Sequence, residues 1–301
     1  MAATVRTRLD IAFRFGHIRI HIATTLATAT EPPSSVDLVF VWSRHRPHLR
    51  PATVSSCSRM TRNDHRPVVL LDAGGIFYIP DHRIALATGA TIGFTVEESL
   101  IDEAHYRAAL AFADTSVNGD PHHHFWDEYL QRYAEAIGCP IEQREHAVAA
   151  LADNFAAVSI WQRVIPGSLE GLRALHDAGA RIGIVSNHDG TIEAMLRRDG
   201  IAQVGRGAGV PVEVIIDSAV VGERKPGARI FEIAIAAMHI NRDDPDSPAF
   251  YVGDMPAIDA VGARAARLVP VIMDPWGAHP QDVAYATTRS LTDFAHYLAP
   301  A

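Results

Sequence analysis

Side chains suited to phosphoryl chemistry follow four apolar runs of the sequence. Asp72 follows the first run, Ser186-Asn187 ends the second, Lys225 comes after the third and Asp254 after the fourth. A carboxylate can attack as a nucleophile, paired carboxylates can hold Mg²⁺, and a lysine can neutralise charge on a transferred group. These residue types suit phosphoryl transfer, which needs an aligned nucleophile, a metal ion and donors for the phosphoryl oxygens.

The elements that must position these side chains alternate between apolar strands and helices. The sequence predicts strands at 68–71, 181–186, 212–216, 249–252 and 270–273, and helices at 168–178, 191–199, 228–238 and 257–266. This alternation predicts an α/β fold with a Rossmann-like parallel sheet covered by helices on both faces. Ligands bind such sheets at the carboxyl ends of the strands, where the four motifs lie.

A long insert separates the first two strands of the predicted sheet. Within residues 85–163, the segments 97–112, 125–137 and 143–157 have helical composition and spacing, and no strand is obvious among them. We therefore expect an all-helical cap at 85–163, inserted into a core formed by 66–84 and 164–301.

The four motifs, in this order and spacing, resemble those of the haloacid dehalogenase-like (HAD) superfamily, in its helical-cap (C1) branch. The resemblance runs from Pro67 to the C-terminus. It is carried by Asp72-Ala-Gly-Gly, Ser186-Asn187, Lys225-Pro226 and Gly253-Asp254-Met-Pro-Ala-Ile-Asp259, with Pro166-Gly167 before a helix. Any one of these motifs is weak alone, whereas the ordered set is specific.

The resemblance implies a Mg²⁺-dependent phosphohydrolase that acts on a small phosphorylated metabolite. Asp72 would be the nucleophile that forms a phosphoaspartate, with Ser186 and Lys225 as further catalytic residues. Asp259 would support the metal-bound water or Lys225. The implied phosphate-binding residues are Ser186, Asn187 and Lys225, and the implied metal ligands are Asp72, Asp254 and the main-chain carbonyl of Gly74.

The sequence departs from the family pattern at Gly74. Phosphatases of the family carry a second aspartate there, which protonates the leaving oxygen, and general acid–base catalysis of this kind contributes about 10²–10⁴-fold. A phosphohydrolase without this acid would act on a substrate whose leaving group needs little protonation, or slowly on an ordinary ester. His105, on a predicted cap helix, is either a replacement acid or an ordinary packed residue.

The absence of the second aspartate is also consistent with other kinds of protein. A phosphonate-cleaving enzyme would need a cap lysine, and Lys225 is the only lysine in the sequence, so that chemistry is excluded. A haloacid dehalogenase needs no proton donor for halide, but the presence of Asp254 argues against it. The remaining alternative is a catalytically weak or non-catalytic relative that binds phosphorylated ligands or a protein partner.

Bulk composition limits the partners and the compartment. The net charge is −8 and the pI is near 6.0, so neither nucleic acid nor an anionic membrane is an expected partner. Two cysteines give no disulfide framework, and no apolar run of membrane-spanning length occurs. We expect a cytoplasmic protein with a small-molecule phosphorylated substrate, and the sequence leaves its oligomeric state open.

Residues 1–65 differ in composition from the rest of the chain. They are rich in Arg, Thr, Ser, His and Pro, and only 17–23 and 36–42 suggest short strands, neither with a convincing partner. We expect a disordered extension, with Met60 as a candidate start of the protein, and a transit peptide as the alternative.

Overall fold

The computed structural model of the chain describes residues 8–15, 18–25, 66–110, 121–157, 160–244, 247–280, 283 and 285–299. The chain divides into two compact units, Met1–Thr61 and Arg62–Ala301. In the first unit, β1 (Arg8–Phe15) and β2 (Ile18–Thr25) form an antiparallel hairpin in which Phe15 pairs with Ile18.

The hairpin supplies the strand partner that the sequence did not reveal in the first unit. The predicted strand at 17–23 overlaps β2, and its partner is the preceding strand β1. The alternation of Leu9, Ile11, Phe13 and Phe15 with other residues is the two-residue period of a strand and could have predicted β1. The predicted strand at 36–42 lies outside the described residues, and disorder over 1–65 stays a prediction.

The second unit contains the remaining described strands. In chain order they are β3 (Val68–Leu71), β4 (Tyr78–Pro80), β5 (Trp161–Val164), β6 (Arg181–Ser186), β7 (Ala202–Val204), β8 (Val210–Val212), β9 (Val214–Asp217), β10 (Ala249–Gly253), β11 (Val269–Met273) and β12 (Ala286–Thr288). Six of them form a parallel sheet in the order β12-β11-β10-β3-β6-β9. The strand that precedes Asp72 therefore lies between the strands that lead to Ser186 and Asp254.

The described helices of the second unit cover the sheet and form the insert. In chain order they are α1 (His82–Ile92), α2 (Glu98–Ala109), α3 (Pro121–Ala136), α4 (Arg144–Ala157), α5 (Ser168–Asp177), α6 (Ile192–Arg198), α7 (Ser218–Val221), α8 (Ala228–Ala237), α9 (Val261–Ala265) and α10 (Leu291–Leu298), with a 3₁₀ turn at Ile141–Gln143 and a π-helical turn at Pro256–Ala260. No described helix is both long and apolar enough to span a bilayer.

The α/β fold with a parallel sheet is confirmed, and the described part of the insert forms helices α1–α4. Residues 161–163, which the all-helical prediction included, lie in strand β5 instead. Helices α1–α4 lie between β4 and β5, which pair antiparallel where the insert leaves and rejoins the core. The helices share a hydrophobic cluster that also includes Met255 and Ile258 from the core. The domain boundaries at 85 and 163 stay predictions.

Two regions of the sheet differ from the predicted strands. The predicted strand at 212–216 consists of two strands in the structure. Strand β8 pairs with β7, and strand β9, which begins after Glu213, pairs with β6. The edge strand β12 was missed because Ala286–Thr288 is short and largely exposed and has no apolar run. The other predicted core strands agree with the structure to within one residue at each end.

Strand β3 is buried on both faces, which explains its uninterrupted apolar sequence. Val69 and Leu71 join one hydrophobic cluster, whereas Val68 and Leu70 join the cluster on the opposite face. Each such side chain contributes about 1.5–3 kcal/mol when it leaves water. The strand that precedes Asp72 is therefore anchored from both sides.

Gly183 in β6 gives a test of this packing. A Cβ atom there would lie 2.7 Å from Met238 Sδ and 2.8 Å from Leu70 Cδ2. Gly183→Ala should lower the free energy of unfolding in urea by about 1–3 kcal/mol because the core would be overpacked. Ala236→Ser, on an exposed face of α8, is the control and should change it by less than about 0.5 kcal/mol. Equal effects in both variants would contradict the packing argument.

Candidate active site

The predicted site residues from three adjacent strands meet at one edge of the sheet. Asp72 directly follows β3, Ser186 ends β6 and Asp254 directly follows β10, and all three residues are buried. The main-chain N–H of Asp72 donates to the carbonyl of Val252 over 2.9 Å, which fixes the start of the loop against β10. Because parallel strands present their carboxyl ends at the same edge, the fold alone brings these side chains together.

Lys225 reaches this edge from the loop before α8 and has a full set of partners. Its Nζ lies 2.6 Å from Asp72 Oδ2, 2.8 Å from Asp259 Oδ1 and 2.7 Å from the hydroxyl of Tyr251. An ammonium group has three donors, so each finds an acceptor. The Tyr251 hydroxyl donates in turn to the carbonyl of Val185 over 3.0 Å. The only lysine of the chain is therefore a buried cation with two hydrogen bonds and an ion pair to Asp72.

The electrostatics of Asp72 and Lys225 are coupled by this contact. Burial raises the pKa of Asp72 to about 7, and Asp259 and Asp254 add to the increase, while Lys225 opposes it. Burial alone would lower the pKa of Lys225, but Asp259 and Asp72 together raise it above the ordinary value. The ammonium therefore stays charged, and any further cation at this edge would favour the ionised form of Asp72.

Asp259 fixes both the lysine and the loop after β10. Its Oδ1 atom accepts from Lys225, and its Oδ2 atom accepts from the main-chain N–H groups of Asp254 and Met255 over 3.0 and 2.9 Å. A Cβ atom at Gly253 would lie 2.3 Å from Asp259 Cγ, so this close approach requires glycine. Of the two roles that the resemblance implied for Asp259, the structure shows the contact with Lys225.

The carboxylates of the site form a donor set that fits a divalent cation. Asp72, Asp254 and Asp259 each offer an oxygen within 4.8 Å of the others. The Asp259 oxygens are already occupied, but Asp254 Oδ2 is buried and has no hydrogen-bond partner among the described residues. A buried carboxylate oxygen is costly without compensation, and hard cations such as Mg²⁺ prefer such oxygens. Asp72 and Asp254 can therefore hold a metal ion at this edge.

Two residues of cap helix α2 cover the site. His105 is fully buried, with Nε2 3.0 Å from Asp254 Oδ2 and Nδ1 2.9 Å from the Tyr129 hydroxyl. The hydroxyl of Tyr106 donates to the carbonyl of Gly75 over 2.8 Å. His105 therefore lies at the site, which a replacement acid would need. Its contact with Asp254 does not have hydrogen-bond geometry. Its role as a replacement acid stays a prediction.

Asn187 contacts the lysine loop. Its side-chain Nδ2 donates to the carbonyl of Lys225 over 3.0 Å, and its Oδ1 accepts from the N–H of Lys225 over 2.8 Å. This pair of hydrogen bonds fixes the main chain that carries the lysine. Phosphate binding by Asn187 and Ser186 stays a prediction, whereas the positioning contact of Asn187 is an additional finding.

Sequence reasoning missed several residues that shape the site. Tyr251 contacts Lys225 and Trp161 contacts Gly74, and the long sequence separation within each pair hides these contacts. Asp217 was also missed. It accepts hydrogen bonds from the main-chain N–H groups of Gly190 and Ile192 over 2.9 and 3.3 Å, and so fixes the loop that follows Asn187. Its position at the end of an apolar run was an available signal.

The buried charges predict a strong energetic coupling. Lys225→Met should lower the free energy of unfolding by about 3–5 kcal/mol, because Asp259 would keep a buried charge without a cation and Asp72 would have to take up a proton once Lys225 no longer opposes the rise in its pKa. In the double variant Lys225→Met/Asp259→Asn the loss should be smaller than the sum of the single losses by about 0.5–3 kcal/mol. Urea unfolding in the presence of EDTA measures this cycle.

The control cycle uses Arg197→Met and Glu193→Gln. These side chains form an i,i+4 ion pair on α6 and are 62% and 52% exposed. Their coupling should not exceed about 0.5 kcal/mol, because solvent screens exposed pairs. Additive losses at Lys225 and Asp259 would contradict the coupling that the structure indicates.

Comparisons with known proteins identify the family of this chain. The family model of haloacid dehalogenase-like hydrolases matches residues 81–267. The bovine (Bos taurus) haloacid dehalogenase-like hydrolase domain-containing protein 3 is 27% identical over 201 residues, which cover 64% of this chain and 73% of that protein.

Solved structures with similar folds include a phosphatase and a dehalogenase. The HAD phosphatase from Thermococcus onnurineus is 17% identical with a TM-score of 0.43, over 77% of this chain and 97% of that chain. A dehalogenase with an intermediate complex is 17% identical with a TM-score of 0.47, over 79% and 99%. Both TM-scores are below 0.5, so the assignment rests on the family model, which spans more than half of the sequence. The chain belongs to the haloacid dehalogenase-like hydrolase family.

Proposed function

We propose that this hydrolase is a Mg²⁺-dependent phosphohydrolase that acts on a small phosphorylated metabolite through a phosphoaspartate on Asp72. The observation that carries the proposal is the setting of Asp72. One of its oxygens lies 2.6 Å from Lys225 Nζ. The neighbouring Asp254 has a buried oxygen that lies 3.0 Å from His105 Nε2 but has no partner with hydrogen-bond geometry among the described residues. A nucleophile between a fixed cation and a second carboxylate that can bind a metal ion suits an attack on a polyanionic phosphoryl group.

The chain's own residues would divide the reaction into two steps. The Asp72 carboxylate attacks phosphorus, the bond from phosphorus to the leaving oxygen breaks, and its electron pair stays on that oxygen. Lys225 would hold Asp72 in place and offset the negative charge of the phosphoryl group, and Ser186 would donate to a phosphoryl oxygen. Water then hydrolyses the phosphoaspartate, which releases inorganic phosphate and restores Asp72.

Mg²⁺ fits the oxygens of Asp72 and Asp254, with the main-chain carbonyl of Gly74 as the third ligand that the resemblance implies. When bound, it would neutralise charge on the phosphoryl oxygens.

The free-energy cost of burying the charged network of Asp72, Asp259 and Lys225 also supports a catalytic role. Burying two carboxylates and an ammonium rarely stabilises a fold more than apolar residues of the same volume would. A purely structural role therefore explains this network less well than catalysis does.

Asp72→Asn tests the nucleophile. Turnover of 4-nitrophenyl phosphate in Mg²⁺ should fall by about 10³-fold or more, because the amide cannot form the phosphoenzyme. Intact-mass measurement after rapid acid quenching should detect one added phosphoryl group on the wild type and none on Asp72→Asn. The control is Asp177→Asn, whose side chain is 80% exposed on α5, and it should retain activity. Undiminished turnover by Asp72→Asn would refute the mechanism.

Two alternatives have distinct signatures in the same experiment. Metal-independent chloride release from 2-chloropropionate, lost in Asp72→Asn, would indicate a haloacid dehalogenase. An absence of turnover on phosphate esters and haloacids, combined with a thermal shift induced by phosphorylated metabolites, would indicate a non-catalytic binding protein. Either result would replace the phosphohydrolase proposal.

A further inference from the structure

Two buried polar atoms face each other at the site without a hydrogen bond between them. Nε2 of His105, on cap helix α2, lies 3.0 Å from Oδ2 of Asp254, and the two side chains are 0% and 1% exposed. Neither atom has a hydrogen-bond partner among the described residues. Leaving buried polar atoms without partners is costly, so a group that satisfies both atoms at once is expected between them.

The relative orientation of the two atoms suits two ligands of one metal ion. The distance is short enough for a hydrogen bond, but a proton on His105 Nε2 would not point at Asp254 Oδ2. Two ligands of one ion each point at the ion rather than at each other. Ligand atoms that lie about 2.1 Å from an ion and at right angles around it are about 3.0 Å apart, which is the separation of these two atoms.

The other ring nitrogen of His105 supports the tautomer that a metal ligand needs. Nδ1 lies 2.9 Å from the hydroxyl oxygen of Tyr129. When the imidazole proton is on Nδ1, this nitrogen donates to that oxygen and Nε2 keeps a free lone pair. Histidines that bind metal ions donate their second N–H to an outer partner in this way, which fixes both the tautomer and the orientation of the ring.

Aromatic rings hold the imidazole in place. The ring of His105 meets the indole of Trp161 edge-on, with centroids 5.2 Å apart and planes at 80°. It meets the ring of Tyr106 in the same manner, at 4.8 Å and 63°. Because protein interiors are close-packed, the imidazole cannot turn away at low cost. A nitrogen that is already oriented loses little conformational freedom when it binds an ion.

We infer that His105 is a metal ligand supplied by the cap, so that the metal site consists of Asp72, Asp254 and one imidazole nitrogen. The inference rests on the proposed function for the role of the ion. Imidazole nitrogen suits Mn²⁺, Co²⁺ and Zn²⁺, whereas Mg²⁺ prefers oxygen ligands and keeps several waters. The site therefore favours transition-metal ions over Mg²⁺ more strongly than oxygen ligands alone would. A metal-bound Nε2 holds no proton, so this role differs from that of a replacement acid.

Pulsed electron paramagnetic resonance of Mn²⁺ bound to the enzyme tests the ligand directly. A bound imidazole nitrogen couples to the electron spin of Mn²⁺, so the wild type should show a nitrogen coupling that is lost in His105→Leu. By calorimetric titration, His105→Leu should weaken the binding of Co²⁺ by about 10²-fold and that of Mg²⁺ by less than about tenfold. Asp254→Asn should weaken the binding of both ions, because it removes an oxygen ligand that they share.

The matched control is His279→Leu. His279 is also buried, and its Nδ1 lies 3.0 Å from the hydroxyl of Tyr285, so it repeats the arrangement of His105 and Tyr129 on the loop after β11. This variant should keep both the nitrogen coupling and the affinity for Co²⁺. Thermal unfolding in EDTA identifies variants that fail to fold, and His105→Gln, which also lacks the imidazole, then replaces His105→Leu.

The outcomes separate this inference from the function on which it rests. A folded wild type that binds no Mn²⁺, or binds it without a nitrogen coupling, would overturn His105 as a ligand, and turnover of 4-nitrophenyl phosphate in Mg²⁺ would leave the phosphohydrolase intact. A coupling that survives in His105→Leu would come from another of the 16 histidines and would also overturn the inference. A nitrogen coupling that depends on His105, in an enzyme that turns over no phosphate ester with any of these ions, would support the ligand and overturn the proposed function.

Discussion

The buried ammonium of Lys225 is the interaction on which the rest of the site depends. It joins Asp72, which follows the central strand, to Asp259, which fixes the loop after the neighbouring strand. Without this cation, two buried carboxylates would repel each other at the sheet edge. Asn187, which follows β6, fixes the main chain of the lysine, so four separate loops are held in one arrangement. The geometry of the nucleophile is thus a property of the network rather than of the Asp72 loop alone.

Glycines make this arrangement sterically possible. Gly75 has φ +65°, and a Cβ atom there would lie 2.1 Å from Asp254 Cγ. Gly253 likewise allows Asp259 to approach the main chain. Gly75 therefore lets Asp254 approach the loop of Asp72, and Gly253 lets Asp259 approach the main chain of its own loop. A side chain at either position would prevent this approach. Gly74 is different, because a Cβ atom there would make only an ordinary contact, 3.6 Å from Cε3 of Trp161.

The sequence predicted most of the sheet and the members of the polar cluster, and the reasons are physical. Doubly buried strands such as β3 and β6 have uninterrupted apolar runs, and the motif residues follow them directly. Short and partly exposed strands such as β12 leave no such pattern. Contacts between distant parts of the chain were also out of reach. The approach of Trp161 to Gly74 depends on how the insert returns to the core, which local composition does not encode.

The contacts between the cap and the core limit how a substrate can reach the site. Asp72 is 8% exposed and His105 is fully buried, so the cap leaves only a small part of the nucleophile accessible to a substrate. The contacts of α2 to the core, from Tyr106 to Gly75 and from His105 to Asp254, are the ones that stand over the carboxylates. Trp161 instead lies on β5, which is paired to β4 at the junction of insert and core.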